Sequence, residues 1–108
     1  MKILLDENIP TKITMDFGKG FEVKTIRDMR WLGKRNGELL GLMTFNGFDF
    51  FITVDKNLKH QQNLEKFDIT IFLLSAKDSK HQTLQPFIDK VKKLLTGRHY
   101  KKFNEVRL

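Results

Sequence analysis

Two stretches of this chain pass abruptly from apolar residues to side chains that can hold a cation or move a proton. One is Leu4-Leu5-Asp6-Glu7-Asn8-Ile9-Pro10, the other Ile52-Thr53-Val54-Asp55-Lys56-Asn57. If the apolar halves are neighbouring parallel strands, Asp6 and Asp55 emerge together at the carboxyl edge of one sheet, where open α/β sheets place their ligands. Converging carboxylates repel each other, and a divalent cation relieves that repulsion. Thr53 shares a strand face with Asp55, so its hydroxyl can bond a metal-bound water or the neighbouring carboxylate.

Each of these residues also has a plainer role. A carboxylate or amide just past a strand can cap a helix, which suits Asn8 and Asn57 well and is the alternative for Asp6 and Asp55. Glu7 points away from Asp6 unless the chain has already left the strand. Glu38 falls in the first turn of a predicted helix, where the dipole favours an acid whatever its function, yet its place beside Leu42 lets it lean over a site. Arg27, Asp28 and Arg30 follow a second strand and either line the same rim or form a solvated turn. His60, His81 and His99 have no spacing that suggests a shared metal and read as surface residues.

These side chains are positioned by an alternation of strands and helices. Ile3 to Leu5 is a continuous apolar run, as expected of a strand covered on both faces. Pro10 opens a helix carrying Ile9, Ile13 and Phe17, and Gly18-Lys19-Gly20 closes it. Phe21 to Ile26 reads as a more exposed strand nearer an edge, and Glu38 to Phe45 as a second helix ended by Gly47. Phe50 to Val54 is a central strand, residues 56 to 66 a short surface helix, and Ile69 to Leu74 another buried strand. Leu84, Phe87, Ile88, Val91, Leu94 and Leu95 trace one helical face, with Gly97 as its stop. Phe103, Val106 and Leu108 alternate weakly, as in a final edge strand. The order βαβαβαβα implies a single-domain α/β fold over residues 1 to 108, a parallel sheet flanked by helices.

The chain of 108 residues carries a net charge of +7 and no cysteine. One core of ordinary size fits that length, disulfide and thiolate chemistry are excluded, and the basic excess favours a polyanionic partner. Lys90, Lys92, Lys93, Arg98, Lys101, Lys102 and Arg107 form either the wet face of the last helix and its tail or, with Tyr100 and Phe103 interleaved, a surface for RNA backbone and stacked bases. The charge in Met1-Lys2-Ile3 comes too early for a signal peptide, and no apolar run suffices to span a bilayer, so the expectation is a cytoplasmic protein with no membrane partner. Phosphate-cradling glycine loops and Ser/His/Asp arrangements are absent.

Taken together, LLDENIP, VKTIRDM, GKRNGELLGLM and FFITVDKNL resemble the PIN-like family of small bacterial proteins, relatives of the PIN ribonuclease domain that often act as toxins beside a small antitoxin. The resemblance runs from Lys2 to about Leu74. It implies a PIN-like fold in which Asp6, Asp55 and Glu38 bind Mg2+ or Mn2+ at the strand ends, with Thr53 beside them, and single-stranded RNA is cut by an activated water while the cation offsets charge on the phosphoryl oxygens. Arg27, Arg30, Lys90, Lys93, Arg98, Lys101 and Lys102 are then the candidates for holding RNA. A small antitoxin is the expected protein partner, and a homodimer an additional one. The family usually carries acids where this chain has Asn36 and Asn57. An amide ligates a hard cation through oxygen without adding charge, so metal affinity is expected to be weak, with Glu38 standing in for Asn36.

Two other readings use the same residues. Receiver domains of signalling pairs place two acids after the first strand, an aspartate after the third, a hydroxyl after the fourth and a lysine after the fifth. Asp6, Glu7, Asp55, Ser75 and Lys101 or Lys102 are the counterparts, although the closing helix of such domains is missing. In the other reading the acids only cap helices and the basic face binds RNA or an acidic partner without catalysis.

Overall fold

A strand buried on both faces needs layers above and below it, and the apolar runs here obtain them. The computed structural model describes residues 1–60 and 64–108. Five strands, β1 (Lys2–Leu5), β2 (Glu22–Thr25), β3 (Phe50–Thr53), β4 (Thr70–Leu74) and β5 (Phe103–Val106), alternate with three α-helices, α1 (Ile13–Phe17), α2 (Asn36–Phe45) and α3 (His81–Gly97). The strands form one all-parallel sheet in the order β2-β1-β3-β4-β5. The chain builds outward from β1 to β2, then returns to the other side of β1 and continues outward through β3, β4 and β5. Between β1 and β3 the strand order therefore reverses direction, which is the switch point where sheets of this order bind ligands.

Alternate residues of each strand feed opposite layers. Ile3, Leu5, Phe50, Ile52, Phe72 and Leu74 face α1 and α3, packing on Ile13, Phe17, Leu84, Phe87, Ile88, Val91 and Leu95. Leu4, Phe51 and Ile71 face the other way, against Leu39, Leu40 and Met43 of α2 and against Leu58. A polar seam ties α1 to α3 across the first layer. The Asp16 carboxylate meets His81 Nε2 at 2.7 Å and accepts from Gln85 Nε2 at 3.2 Å. His81 is thus a half-exposed hydrogen-bond partner of Asp16 and not simply a surface residue, whereas His99 is exposed.

Several boundaries differ from those expected. The helix after Pro10 starts only at Ile13, because i→i+3 turns come first: the amides of Ile13, Thr14 and Met15 bond the carbonyls of Pro10, Thr11 and Lys12. Ile9, Ile13 and Phe17 are buried together all the same. Asn8 lies four residues before Lys12, which precedes the first helical residue, and no side chain caps α1. Asn8 is therefore not its cap. The second helix begins at Asn36, two residues earlier than its apolar face suggests, its first turn closed by the Leu39 amide on the Arg35 carbonyl at 2.8 Å.

In place of one surface helix over 56 to 66 there are two 3-10 turns, Lys56–His60 and Leu64–Lys66. The part of that expected helix at 61 to 63, and the side chain of His60, lie outside the described residues. Gly97 is the last helical residue of α3, and the left-handed cap is Arg98, at φ 55°. The tail forms β5, parallel to β4 and at the sheet edge.

Candidate metal and phosphate site at the carboxyl edge

The register of β1 and β3 dictates what meets at their ends. Leu5 is paired with Ile52, and the ladder runs one step further through the Asp6 amide, which bonds the Ile52 carbonyl at 2.9 Å. Paired residues of parallel strands point to the same face, so Asp6 and Thr53 come side by side on the α2 side of the sheet. The Thr53 hydroxyl is completely buried and donates to Asp6 Oδ2 at 2.6 Å. Its oxygen accepts the Asp55 amide at 3.0 Å. One hydroxyl therefore joins the loop after β1 to the loop after β3. Of the roles considered for Thr53, the bond to a neighbouring carboxylate is the one observed.

Asp6 itself is only 8% exposed. Its Oδ1 accepts the Glu7 amide at 2.8 Å. Burial pushes the Asp6 carboxyl above its ordinary value of 3.8, the bonds from Thr53 and from the Glu7 amide pull the other way, and the charges of Glu7 and Asp55 add to the rise. Asp55 is half-buried and turns one oxygen back onto its own loop, where Oδ1 accepts the Asn57 amide at 3.0 Å. Asp55, and not Asn57, is thus the side chain that caps the turn following β3. Among the described residues, the Asp55 Oδ2 atom accepts no hydrogen bond.

The other expected site residues are placed less closely. Glu38 sits in the first turn of α2, exposed, its Oε2 atom 3.7 Å from Lys34 Nζ. An exposed i,i+4 pair of this kind contributes little to stability. Among the described residues, no three His, Cys, Asp or Glu side chains are grouped so as to hold a metal, so Glu38 is not brought to Asp6 and Asp55 as a third ligand. The donor set still suits a hard cation. Mg2+ is commonly bound through one or two carboxylates, with waters and phosphate oxygens completing its shell, and Asp6 and Asp55 provide a repelling pair with lone pairs to spare.

Arg27 and Arg30 stand at the same edge, both exposed, in the turn after β2 and next to Asp6 in strand order. That turn is stitched at its base by a reciprocal pair: the Thr25 amide donates to Asp28 Oδ2 at 2.9 Å, and the Asp28 amide donates to Thr25 Oγ1 at 3.0 Å. The Thr25 amide is also the main reason the Asp28 carboxyl lies below its ordinary value.

Arg98, Lys101 and Lys102 precede β5, and so belong to the amino edge of the sheet, at the opposite end from the acids. Arg98 lines a hollow there with Met1, Asp49, Asp68 and Tyr100. Lys90 Nζ bonds the Arg107 carbonyl, and Lys93 is exposed on α3. Tyr100 and Phe103 are not open stacking platforms. Tyr100 packs edge-on against Phe50 and Phe72, with centroids 5.4 and 6.0 Å apart, and Phe103 packs into the α2 layer. The receiver reading loses its geometry for the same reason, since Ser75 follows β4 at the carboxyl edge while Lys101 and Lys102 lie at the other.

A charge confined at Asp6 leaves a measurable imprint on stability. Its pKa is raised in the fold, so the folded state binds the proton more tightly than the unfolded one. Asp6 therefore favours folding most below 3.8, and that contribution is lost as pH rises through the folded value. Asp6→Asn keeps the side-chain shape without the charge. Its stability relative to wild type should rise steadily as pH goes from below 3.8 to neutrality. A constant offset across a thermal-melt series in pH would show that Asp6 carries no such burden.

No family model matches the chain, and no curated protein or solved structure matches it either. Fold and site together define a class only: a five-stranded parallel α/β protein with a carboxylate pair at its switch point. Among the described residues, no helix is long and apolar enough to cross a membrane.

Proposed function

We propose that this chain is a metal-dependent endoribonuclease of the PIN-like type, cutting single-stranded RNA in the cytoplasm as the toxin of a toxin-antitoxin pair. The observation that carries the reading is Asp6, a buried carboxylate whose pKa is raised and which is tied through Thr53 to the loop that presents Asp55. A buried acid with a raised pKa at the switch point of a parallel sheet is a functional-site candidate. Asp6 and Asp55 would hold Mg2+ or Mn2+, and Thr53 fixes the orientation of Asp6. A bound cation supplies a more acidic water and neutralises charge developing on the phosphoryl oxygens.

Arg27 and Arg30 hold the flanking phosphates in this reading. Lys90, Lys93, Lys101 and Lys102 act at longer range, drawing RNA or an acidic antitoxin towards the molecule, whereas Arg98 shares its hollow with Asp49 and Asp68 and takes no part.

A non-catalytic binding role is favoured by one specific observation, the lack of a third acid grouped with Asp6 and Asp55 among the described residues. Asn36 and Asn57, standing where the resemblance expects acids, point the same way. The decisive experiment incubates purified protein with single-stranded RNA in Mn2+, in Mg2+ and in chelator. Metal-dependent cleavage is expected; RNA bound but never cut in any metal would establish the binding role instead.

Metal binding is testable without turnover. With free Mn2+ at ten times its Kd, wild-type stability should rise by about 1.4 kcal/mol, from mass action alone. The double variant Asp6→Asn/Asp55→Asn should show no Mn2+-dependent shift in its thermal melt. An equal shift in both proteins would place the ion elsewhere.

A further inference from the structure

Two non-glycine residues of the described chain have positive φ, and both are arginines: Arg30 at 61° and Arg98 at 55°. In this left-handed region a Cβ is crowded by the backbone, and glycine or asparagine is the usual occupant. The two positions are built alike. At the first, the Arg30 amide bonds the Arg27 carbonyl and the Trp31 amide bonds the Ile26 carbonyl, both at 3.0 Å. At the second, the Arg98 amide bonds the Leu95 carbonyl at 3.2 Å and the His99 amide bonds the Leu94 carbonyl at 3.0 Å. Each is the paired i→i+3 and i→i+5 closure of a helical turn, with arginine at the left-handed position.

What differs is where the two side chains are presented. Arg98 lies at the amino edge of the sheet, in the hollow with Asp49 and Asp68. Arg30 lies at the carboxyl edge, in the turn after β2, and β2 is the strand next to β1 on the side away from β3. A polyanion crossing that edge from Asp55 over Asp6 reaches the Arg30 turn next. The turn is firmly seated, since Trp31 packs edge-on against Phe48 with centroids 5.8 Å apart and Thr25 and Asp28 bond each other at its base. Among the described residues, Arg30 is exposed and has no ion pair or side-chain hydrogen bond. A strained residue with no partner inside the protein suggests one outside it.

We propose that Arg30 is a phosphate-positioning residue, kept in a left-handed cap so that its guanidinium grips the RNA backbone one strand beyond Asp6. This rests on the ribonuclease reading and adds to it a direction: the bound strand extends past β1 to the turn after β2.

The test compares Arg30→Gly with Arg98→Gly, which are matched in charge lost and in strain relieved. Both variants should melt higher than wild type, by about 4 °C, because glycine suits the cap. Binding of a fluorescent single-stranded RNA, followed by anisotropy in chelator so that no turnover occurs, should weaken about tenfold in Arg30→Gly. The slope of log affinity against log salt should fall by about 0.7 with that one phosphate contact. Arg98→Gly should stay within about twofold of wild type, and Arg30→Lys should recover most of the affinity, because charge alone still meets a phosphate. With Mn2+ present, Arg30→Gly should raise KM and leave kcat nearly unchanged.

Equal losses in Arg30→Gly and Arg98→Gly, or no loss in either, overturn the proposal, as does absence of RNA binding by wild type. Wild type that binds RNA in chelator yet never cleaves it defeats the ribonuclease reading alone, and the anisotropy comparison still decides the role of Arg30.

Discussion

Asp6→Ala is expected to lose metal-dependent RNA cleavage by a factor on the order of 10³, the upper range seen when a single preorganised electrostatic group is removed from an active site. Two effects combine in that loss. The better buried of the two paired carboxylates disappears, and the Thr53 hydroxyl is left without the acceptor 2.6 Å away that fixes its rotor. RNA affinity measured in chelator should hardly change, because Asp6 contributes no positive charge and phosphate contacts come from arginine and lysine. A gel assay of cleavage beside an anisotropy titration checks both halves. Cleavage surviving within tenfold of wild type would move the active centre away from the β1–β3 junction.

The largest stability change should come from Thr53→Val, a substitution nearly neutral in volume. Valine removes one hydroxyl that serves two groups at once: Asp6 Oδ2 loses its donor and the Asp55 amide loses its acceptor. Each buried polar group left without a partner costs about 1–3 kcal/mol, and more if charged, so the expected loss is about 3 kcal/mol. In a chain of this length that lowers Tm by roughly 12 °C or more. Thr53→Ser keeps the hydroxyl and should cost far less. In an Asp6→Asn background, Thr53→Val should be milder than in wild type, since a neutral amide is less costly to strand than a carboxylate. Additive losses across this cycle, measured by denaturant unfolding, would mean that the two side chains do not act as a unit.

Much of the fold was legible from the apolar runs. Ile3 to Leu5 and Phe50 to Ile52 are buried on both faces, as continuous runs imply, and the spacing of Leu84, Phe87, Ile88, Val91 and Leu95 marked α3. Local chemistry was harder to read where one turn type competes with another. Pro10 fits the start of a helix, but i→i+3 turns win until Ile13. Gly97 fits a helix stop, yet the left-handed residue is Arg98.

The site was legible to the same extent. That Asp6, Thr53 and Asp55 come together could be read because their strands are unambiguous and parallel neighbours end together. For Glu38 the i,i+4 spacing to Leu42 says which helix face it borders and nothing about its distance from another element; it is exposed beside Lys34 and is not grouped with Asp6 and Asp55. The basic cluster was divided by topology, which no composition reveals. Residues before β5 and residues after β2 carry the same charge but stand at opposite ends of the sheet. The left-handed backbone of Arg30 had no sequence signal at all, since glycine or asparagine is what such a position normally displays.

The bond between Thr53 and Asp6 spans 47 residues of sequence. During synthesis, β1 leaves the ribosome first but has only β2 to pair with until β3 follows. Until then Asp6 has neither Thr53 nor Asp55 to meet. The acidic pair thus depends on closing a long loop and not on local turns. Asp6 is made 49 residues before Asp55, so the pair exists only once both strand ends have been made and brought together.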